Sequence, residues 1–241
     1  MSAPRFSLVV PIYNEEENVG ALLAEIGEVL AACAPFEVIA VDDGSVDHSL
    51  ERMREWKRQR AADWLRVLRL AQNGGQSAAV MAGVEAARAP IVATVDGDMQ
   101  NDPRDLPAMV ERVESGQVDG VFGVRWQRRD TLVRRVSSRV GNRVRNWITG
   151  DAVTDAACGI KVVRRDLFLR VPRFIGMHRF MATLVRYCGG RVEEVNVNHR
   201  QRNAGTAKYG IGNRMLRGLR DCFAVRWLRS RILTHRIEEE Y

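Results

Sequence analysis

No apolar run in this sequence approaches the ~18 residues that a membrane-crossing helix needs, so no membrane span is expected. The start, MSAPRFSLVV, passes straight into a strand-like segment and then into Asn14, Glu15, Glu16 and Glu17, without an apolar stretch of secretory length. Cysteine is scarce: Cys33, Cys158, Cys188 and Cys222 show neither CxxC nor histidine-paired spacing, which argues against a zinc site and suits a reducing cytoplasm. Neither GxGxxG nor GxxxxGK[ST] occurs, so Gly74 and Gly75 read as a tight turn and not as a phosphate cradle. Of the four histidines, none has an obvious carboxylate orienter nearby in sequence to mark it as a base. Internal repeats, low-complexity segments and clear linkers are lacking too.

What is present is a chain able to bury a full core, with 46% hydrophobic and 28% charged residues over 241 positions. Its formal charge of +7 points to anionic partners. Arginines concentrate between Arg125 and Arg145 and between Arg200 and Arg236, whereas most of the acidic residues that look functional lie in the first hundred positions. No nucleic-acid recognition module accompanies the charge, so no specific nucleic-acid partner is expected.

Strands are expected at Phe6–Ile12, Phe36–Val41, Leu65–Leu70, Ile91–Val95, Val118–Val124, Ala157–Val163 and Val192–Asn198. Helical spacing of Val19, Leu22, Leu23, Ile26, Val29 and Leu30 predicts the first helix, with Asn14 or Asn18 as N-cap. Further helices are predicted from Asp47 to about Arg60, over Ala78–Ala87, from Pro103 to about Glu114, over Thr131–Thr149 and His178–Tyr187, and from Ile211 onward. Strands alternating with helices mean an α/β fold whose mostly parallel sheet carries its ligands at the C-terminal strand ends.

At one such end Ile91–Val95 runs into Asp96, Gly97, Asp98, Met99 and Gln100. Side chains at i and i+2 of an extended chain share a face, which would let Asp96 and Asp98 hold one hard cation together. Taken alone, the same residues also make an ordinary polar turn.

VVPIYNEEENV at 9–19, VDDGSVD at 41–47, NGGQSAAVMAG at 73–83 and DGDMQNDP at 96–103 together resemble the family 2 glycosyltransferases of GT-A fold. CGIKVVRRDLF at 158–168 and RNAGTAKYG at 202–210 are similar to the polyprenyl-phosphate members, dolichol-phosphate mannose synthase among them. The resemblance implies that Pro11, Tyr13 and Glu15 hold the nucleotide base and ribose and that Asp42 contacts the base. It implies that Asp96, Asp98 and Gln100 form a metal triad for Mg²⁺ or Mn²⁺ on the donor diphosphate. Arg125, Arg134 or Arg135, Arg202 and Lys208 fall where the family places cations around phosphates, and Asp155 falls near the acceptor side. Catalytic work is thus assigned to Asp98, Asp155, Arg125 and Lys208.

A leaving diphosphate needs its charge neutralised, which a divalent cation and preorganised Arg and Lys side chains supply. A hydroxyl acceptor also needs a general base, whereas a lipid phosphate is already ionised. The absence of a marked base therefore favours the phosphate, although Asp98 or Asp155 could serve a hydroxyl. Two features depart from the family pattern: Gln72 stands where many relatives have a basic residue, and many bacterial relatives continue into transmembrane helices where this sequence stops at Tyr241. Two segments would have to reach a membrane: the helix 131–149, with its apolar stripe among arginines, and the basic tail 211–241.

The sequence therefore predicts a GT-A (Rossmann-like) domain over 1–210 and a basic amphipathic helical tail over 211–241. The expected activity is inverting, metal-dependent transfer of a sugar from a nucleotide donor to a polyprenyl phosphate, at the cytoplasmic membrane face. UDP-sugars are favoured over GDP-mannose, and the tail is expected to meet the membrane surface or an integral membrane partner. A homo-oligomer is left open. The alternatives are a glycan or glycolipid hydroxyl acceptor and a non-catalytic nucleotide-sugar-binding or scaffold protein.

Overall fold

The computed structural model describes residues 3–126, 132–201 and 212–233, the side chains of 132–139 and 212–217 excepted. Among the described residues the strands are β1 (Phe6–Ile12), β2 (Phe36–Asp42), β3 (Leu65–Arg69), β4 (Ile91–Thr94), β5 (Gly120–Arg125), β6 (Lys161–Arg164) and β7 (Val192–Val197). They form one seven-stranded sheet in the order β3-β2-β1-β4-β6-β5-β7. β6 alone runs antiparallel, to β4 on one side and β5 on the other, and the remaining pairings are parallel. The strands other than β6 therefore end at one edge, as the α/β reading requires.

Helices α1 (Val19–Leu30), α2 (Ser49–Arg60), α3 (Gln76–Ala86), α4 (Leu106–Glu114), α5 (Leu132–Thr149), α6 (Arg165–Arg170), α7 (Met181–Tyr187) and α8 (Gly212–Arg229) cover both faces. Strand alternation sorts the core. Leu8, Val10 and Ile12 of β1 pack with Leu22, Leu23 and Ile26 of α1 and Met109 of α4 on one face. Val9 of the same strand packs with Val80 and Val84 of α3, Phe168 of α6 and Leu184 of α7 on the other. Burial on both faces explains why these strands read as unbroken apolar runs.

The structure revises several sequence expectations. The sixth strand was expected from Ala157, but residues 155–160 form an irregular segment and pairing begins at Lys161. A short helix, α6, follows it directly where none was expected. The second helix starts at Ser49 with His48 as its N-cap residue, and Asp47 instead accepts the Ser49 amide at 3.0 Å. Asn18, not Asn14, occupies the N-cap of α1, and its side chain bonds Glu15 without capping the helix. Trp126 and Trp147 are 58% and 79% exposed, so neither is a core residue. Arg164 is an exposed charge, whereas Arg165 is half-buried and donates to the carbonyls of Val84 and Glu85.

Candidate active site

The loops after β1 and β2 are stitched together along the C-terminal edge. The Asn14 amide donates to Ser45 Oγ at 3.0 Å, and Asn14 Oδ1 accepts the Val46 amide at 2.9 Å. Asn14 does so at φ 50°, a left-handed conformation that asparagine tolerates better than most residues. The Glu15 amide donates to Ser49 Oγ at 2.8 Å, and Glu15 Oε2 accepts from Asn18 at 2.7 Å. This wall carries Pro11 and Tyr13, both half-buried, and Glu15, which is buried.

Asp42 ends β2 with its side chain fully buried. One carboxylate oxygen accepts the Ser45 amide at 3.3 Å, and the other has no hydrogen-bond donor, with Arg69 Nε 3.8 Å away. Beside it Asp43, not singled out from the sequence, accepts the Gly74 amide at 2.8 Å and the Asn73 side chain at 3.2 Å. Burial raises its pKa, against the pull of the Gly74 and Gly75 amides. The glycines at 74 and 75 thus receive a carboxylate from the protein itself.

β4 ends at Thr94, and the chain then turns through Gly97, Asp98 and Met99 instead of staying extended. Met99 sits at φ 60°, and Gly97 lies so close to β1 that a Cβ there would come within 2.7 Å of Ile12 Cδ1. The turn, not strand alternation, places the Asp98 charge near Asp96. Burial pushes the Asp96 carboxyl above its usual range; Lys161 opposes the shift and Asp98 adds to it. Gln76, at the start of α3, donates to Asp96 Oδ1 at 2.7 Å, and Asn101 Oδ1 accepts the Asp96 amide at 2.9 Å. The Gln100 amide donates to Asp98 Oδ1 at 3.2 Å, and the Gln100 carbonyl accepts the Arg200 amide at 2.9 Å.

Two carboxylates crowded in a partly desolvated turn suit a hard divalent cation, whose ligands are oxygens. Among the described residues no three or more His, Cys, Asp and Glu side chains cluster as a ready-made metal cage. A cation here would take Asp96 and Asp98 and complete its shell from ligand oxygens and water, as Mg²⁺ usually does.

Arg125, at the end of β5, and Asp155 meet as a pair. Arg125 donates to Asp155 through Nε at 2.6 Å and Nη2 at 2.8 Å, and its amide adds a contact at 3.3 Å. Burial disfavours the Asp155 charge, but the Arg125 hydrogen bonds and charge outweigh it and hold the carboxyl below its usual range. Between this pair and Asp96 lies Lys161 of β6, 9% exposed, donating to the carbonyls of Cys158 at 2.6 Å and Gly159 at 3.4 Å. Desolvation raises the Cys158 thiol to about 11, so it is no thiolate nucleophile at neutral pH.

His178 lines two neighbouring recesses, one beside Asp96 and Gln76 and one beside Asp155, and both also include Lys161. Its Nδ1 lies 2.8 Å from Ser77 Oγ, which accepts the Gly176 amide. Lys161, Gln76 and Asp43 escaped the sequence reading, and His178 was set aside there with the other histidines. The first two stand inside motifs quoted above, where a strand pattern and a glycine turn masked them.

A further network fixes the segment after β7 to the turn after β4. Arg200 reaches Glu25 through both terminal nitrogens at 2.8 Å and Asp102 at 2.8 Å, and Asn101 bridges to His199. The Arg134, Arg135, Arg202 and Lys208 side chains, assigned to phosphate above, lie outside the described residues.

The sequence model described as "Glycosyl transferase family 2" matches residues 7–171. The chain is 38% identical over 223 residues to a dodecaprenyl-phosphate galacturonate synthase of Rhizobium johnstonii, covering 91% of this chain and 65% of the relative. It is 36% identical over 209 residues to an undecaprenyl-phosphate 4-deoxy-4-formamido-L-arabinose transferase of Pectobacterium atrosepticum, covering 85% and 62% respectively. It thus spans less than two-thirds of the length of either relative. Among solved structures, a mannosyltransferase from Pyrobaculum calidifontis in complex with GDP-Man and Mn²⁺ superposes with a TM-score of 0.65 at 21% identity, over 85% of this chain and 58% of that one. Glucosyl-3-phosphoglycerate synthase from Mycobacterium tuberculosis, in complex with Mn²⁺, UDP-Glc and glycerol 3-phosphate, gives 0.66 at 18% identity, over 95% and 81%. These two likenesses bear on the fold, which is GT-A-like. With a family match spanning most of the sheet and a relative aligned over nearly the whole sequence, the chain belongs to glycosyl transferase family 2.

Proposed function

We propose that the chain transfers a sugar, with inversion, from a nucleotide-diphosphate donor to a polyprenyl phosphate, with a divalent cation on the donor. The observation that carries the reading is the juxtaposition of the Asp96–Asp98 turn with an Asp155 already committed to Arg125. A carboxylate held ionised by a two-point arginine contact is a poor general base, which favours an acceptor that arrives already ionised. A phosphate monoester does. The names of the relatives, both polyprenyl-phosphate enzymes, agree.

In this reading Pro11, Tyr13, Glu15 and Asp42 take the nucleoside, UDP being favoured over GDP. Asp96 and Asp98, with Gln100, would hold Mg²⁺ or Mn²⁺, which supplies Lewis-acid stabilisation of the leaving diphosphate when bound. Arg125, held in place by Asp155, orients the acceptor phosphate, with Arg134, Arg135, Arg202 and Lys208 adding charge. Because the acceptor oxygen attacks directly and no protein nucleophile intervenes, a single displacement inverts the anomeric centre.

The lipid acceptor calls for a membrane-facing surface, and α5 with α8 supplies one. Among the described residues no helix is long and apolar enough to cross a membrane. Val140, Val144 and Trp147 of α5 and Leu219, Phe223 and Trp227 of α8 are nonetheless exposed, on helices rich in arginine. We assign that face to the cytoplasmic side of an anionic bilayer. The deciding assay offers purified protein, Mn²⁺ and a panel of UDP- and GDP-sugars a prenyl phosphate. A mild-acid-labile glycosyl phosphate is expected, whereas transfer only to a glycan hydroxyl overturns the acceptor assignment.

A further inference from the structure

We propose that Lys161 is a positioning residue that sets the spacing between the donor half and the acceptor half of the site. The inference rests on the roles just proposed for Asp96 and Arg125. β6 lies between β4, which delivers Asp96, and β5, which delivers Arg125. Lys161 stands at the start of that strand, in register with Thr94 of β4 and Phe122 of β5. Its ammonium folds back onto the Cys158 and Gly159 carbonyls, and Thr94 Oγ1 donates to the same Gly159 carbonyl at 2.8 Å.

Gly159 in turn touches the donor half, since a Cβ on it would sit 2.0 Å from Asp96 Oδ2. Four residues earlier in the same segment, Asp155 grips Arg125. One short stretch of backbone, held by Lys161, therefore spans from the proposed metal carboxylate to the proposed acceptor cation.

A neutral donor would satisfy two carbonyls at less desolvation cost than a buried ammonium. Burial pulls the Lys161 pKa down and disfavours the ammonium, and the carboxylates of Asp96 and Asp155 act against that pull. Both recesses of the site include the Lys161 side chain, as expected for a group standing between two substrates. Transfer by direct displacement needs the two reacting groups within a narrow distance, and a misplacement of about 1 Å is enough to cost roughly a hundredfold in rate.

The test compares the wild-type chain with K161M, which keeps the bulk and removes the charge, and with K161R, which keeps the charge. The Mn²⁺-plus-UDP thermal shift reads the donor half without any turnover. In K161M we expect that shift to stay within a few degrees of wild type, and transfer to fall about a hundredfold. Hydrolysis of the donor by water should persist, so the ratio of transfer to hydrolysis falls, and K161R should restore part of it. A crystal structure of K161M should show residues 155–159 displaced relative to Asp96. Transfer within about threefold of wild type in folded K161M, with that segment in place, overturns the proposal. So does a loss of transfer matched by loss of the Mn²⁺-plus-UDP shift, which makes Lys161 a prop of the donor site alone. If wild type ignores prenyl phosphate, the function proposed above fails, and the transfer-to-hydrolysis comparison is read on the hydroxyl acceptor that it does use. If it uses no acceptor, the crystal structure alone decides, an unmoved segment counting against the proposal.

Discussion

Gly159 has no room for a side chain: a methyl group there would collide with Asp96 Oδ2 and with Asn101 Oδ1 at 2.6 Å. G159A should therefore displace the Asp96 carboxylate while leaving the sheet intact. We expect the thermal shift given by Mn²⁺ with a nucleotide diphosphate to disappear and the far-ultraviolet circular dichroism to stay unchanged. Asp155 makes a complementary case on the acceptor side. D155N keeps the shape and removes the charge that faces Arg125, so transfer should fall about a hundredfold, as for loss of a preorganised electrostatic contact. Donor binding by calorimetry should change little. Glu25 gives a residue-level prediction for stability. The Arg200 hydrogen bonds lower its pKa despite partial burial, and Arg104 helps. A carboxylate with a depressed folded pKa contributes stability above its unfolded value, about 4.3, and loses that contribution as pH falls through the folded value. The melting temperature of E25Q should thus lie below wild type at neutral pH and converge with it in acid. A constant gap from pH 7 down to pH ~3 contradicts the linkage.

The elements show which parts of the structure were legible in sequence. β1, β2 and β4 could be read because burial on both faces makes an uninterrupted apolar run, and α1 because its stripe repeats at helical spacing. Residues 155–160 could not be read as irregular, because Cys158, Gly159 and Ile160 carry the same apolar signal as the strand that follows. They are held instead by contacts to Arg125 and Thr94, far off in sequence, and to the neighbouring Lys161. The turn after β4 was found, but for the wrong geometric reason: two acids at i and i+2 suggested an extended face, whereas the positive φ of Met99 marks a tight bend. At this scale the exposed helices α5 and α8 carry their own prediction. Replacing Trp147 and Trp227 together by Ser removes aromatic anchors of the kind that sit at membrane interfaces. Binding to anionic vesicles should fall at least about tenfold in a flotation assay, and binding by wild type should weaken as salt screens the arginines. Undiminished flotation of the double variant would place the docking surface elsewhere.

For the whole molecule, the sheet gathers two unlike chemistries at one edge: carboxylates after β2 and β4, and cationic groups on β5 and β6. The single antiparallel strand is what brings them together, since β6 enters the site from the opposite direction and carries Lys161 between Asp96 and Arg125. The central claim is that this arrangement serves a phosphate nucleophile and needs no base. The most direct measurement incubates the purified chain with Mn²⁺, a radiolabelled nucleotide sugar and a short-chain prenyl phosphate, then treats the extracted lipid with mild acid. An organic-soluble product should form in wild type, be absent in D98A, and release the labelled sugar in mild acid. A labelled lipid that survives the acid, or full transfer by folded D98A, would contradict the claim.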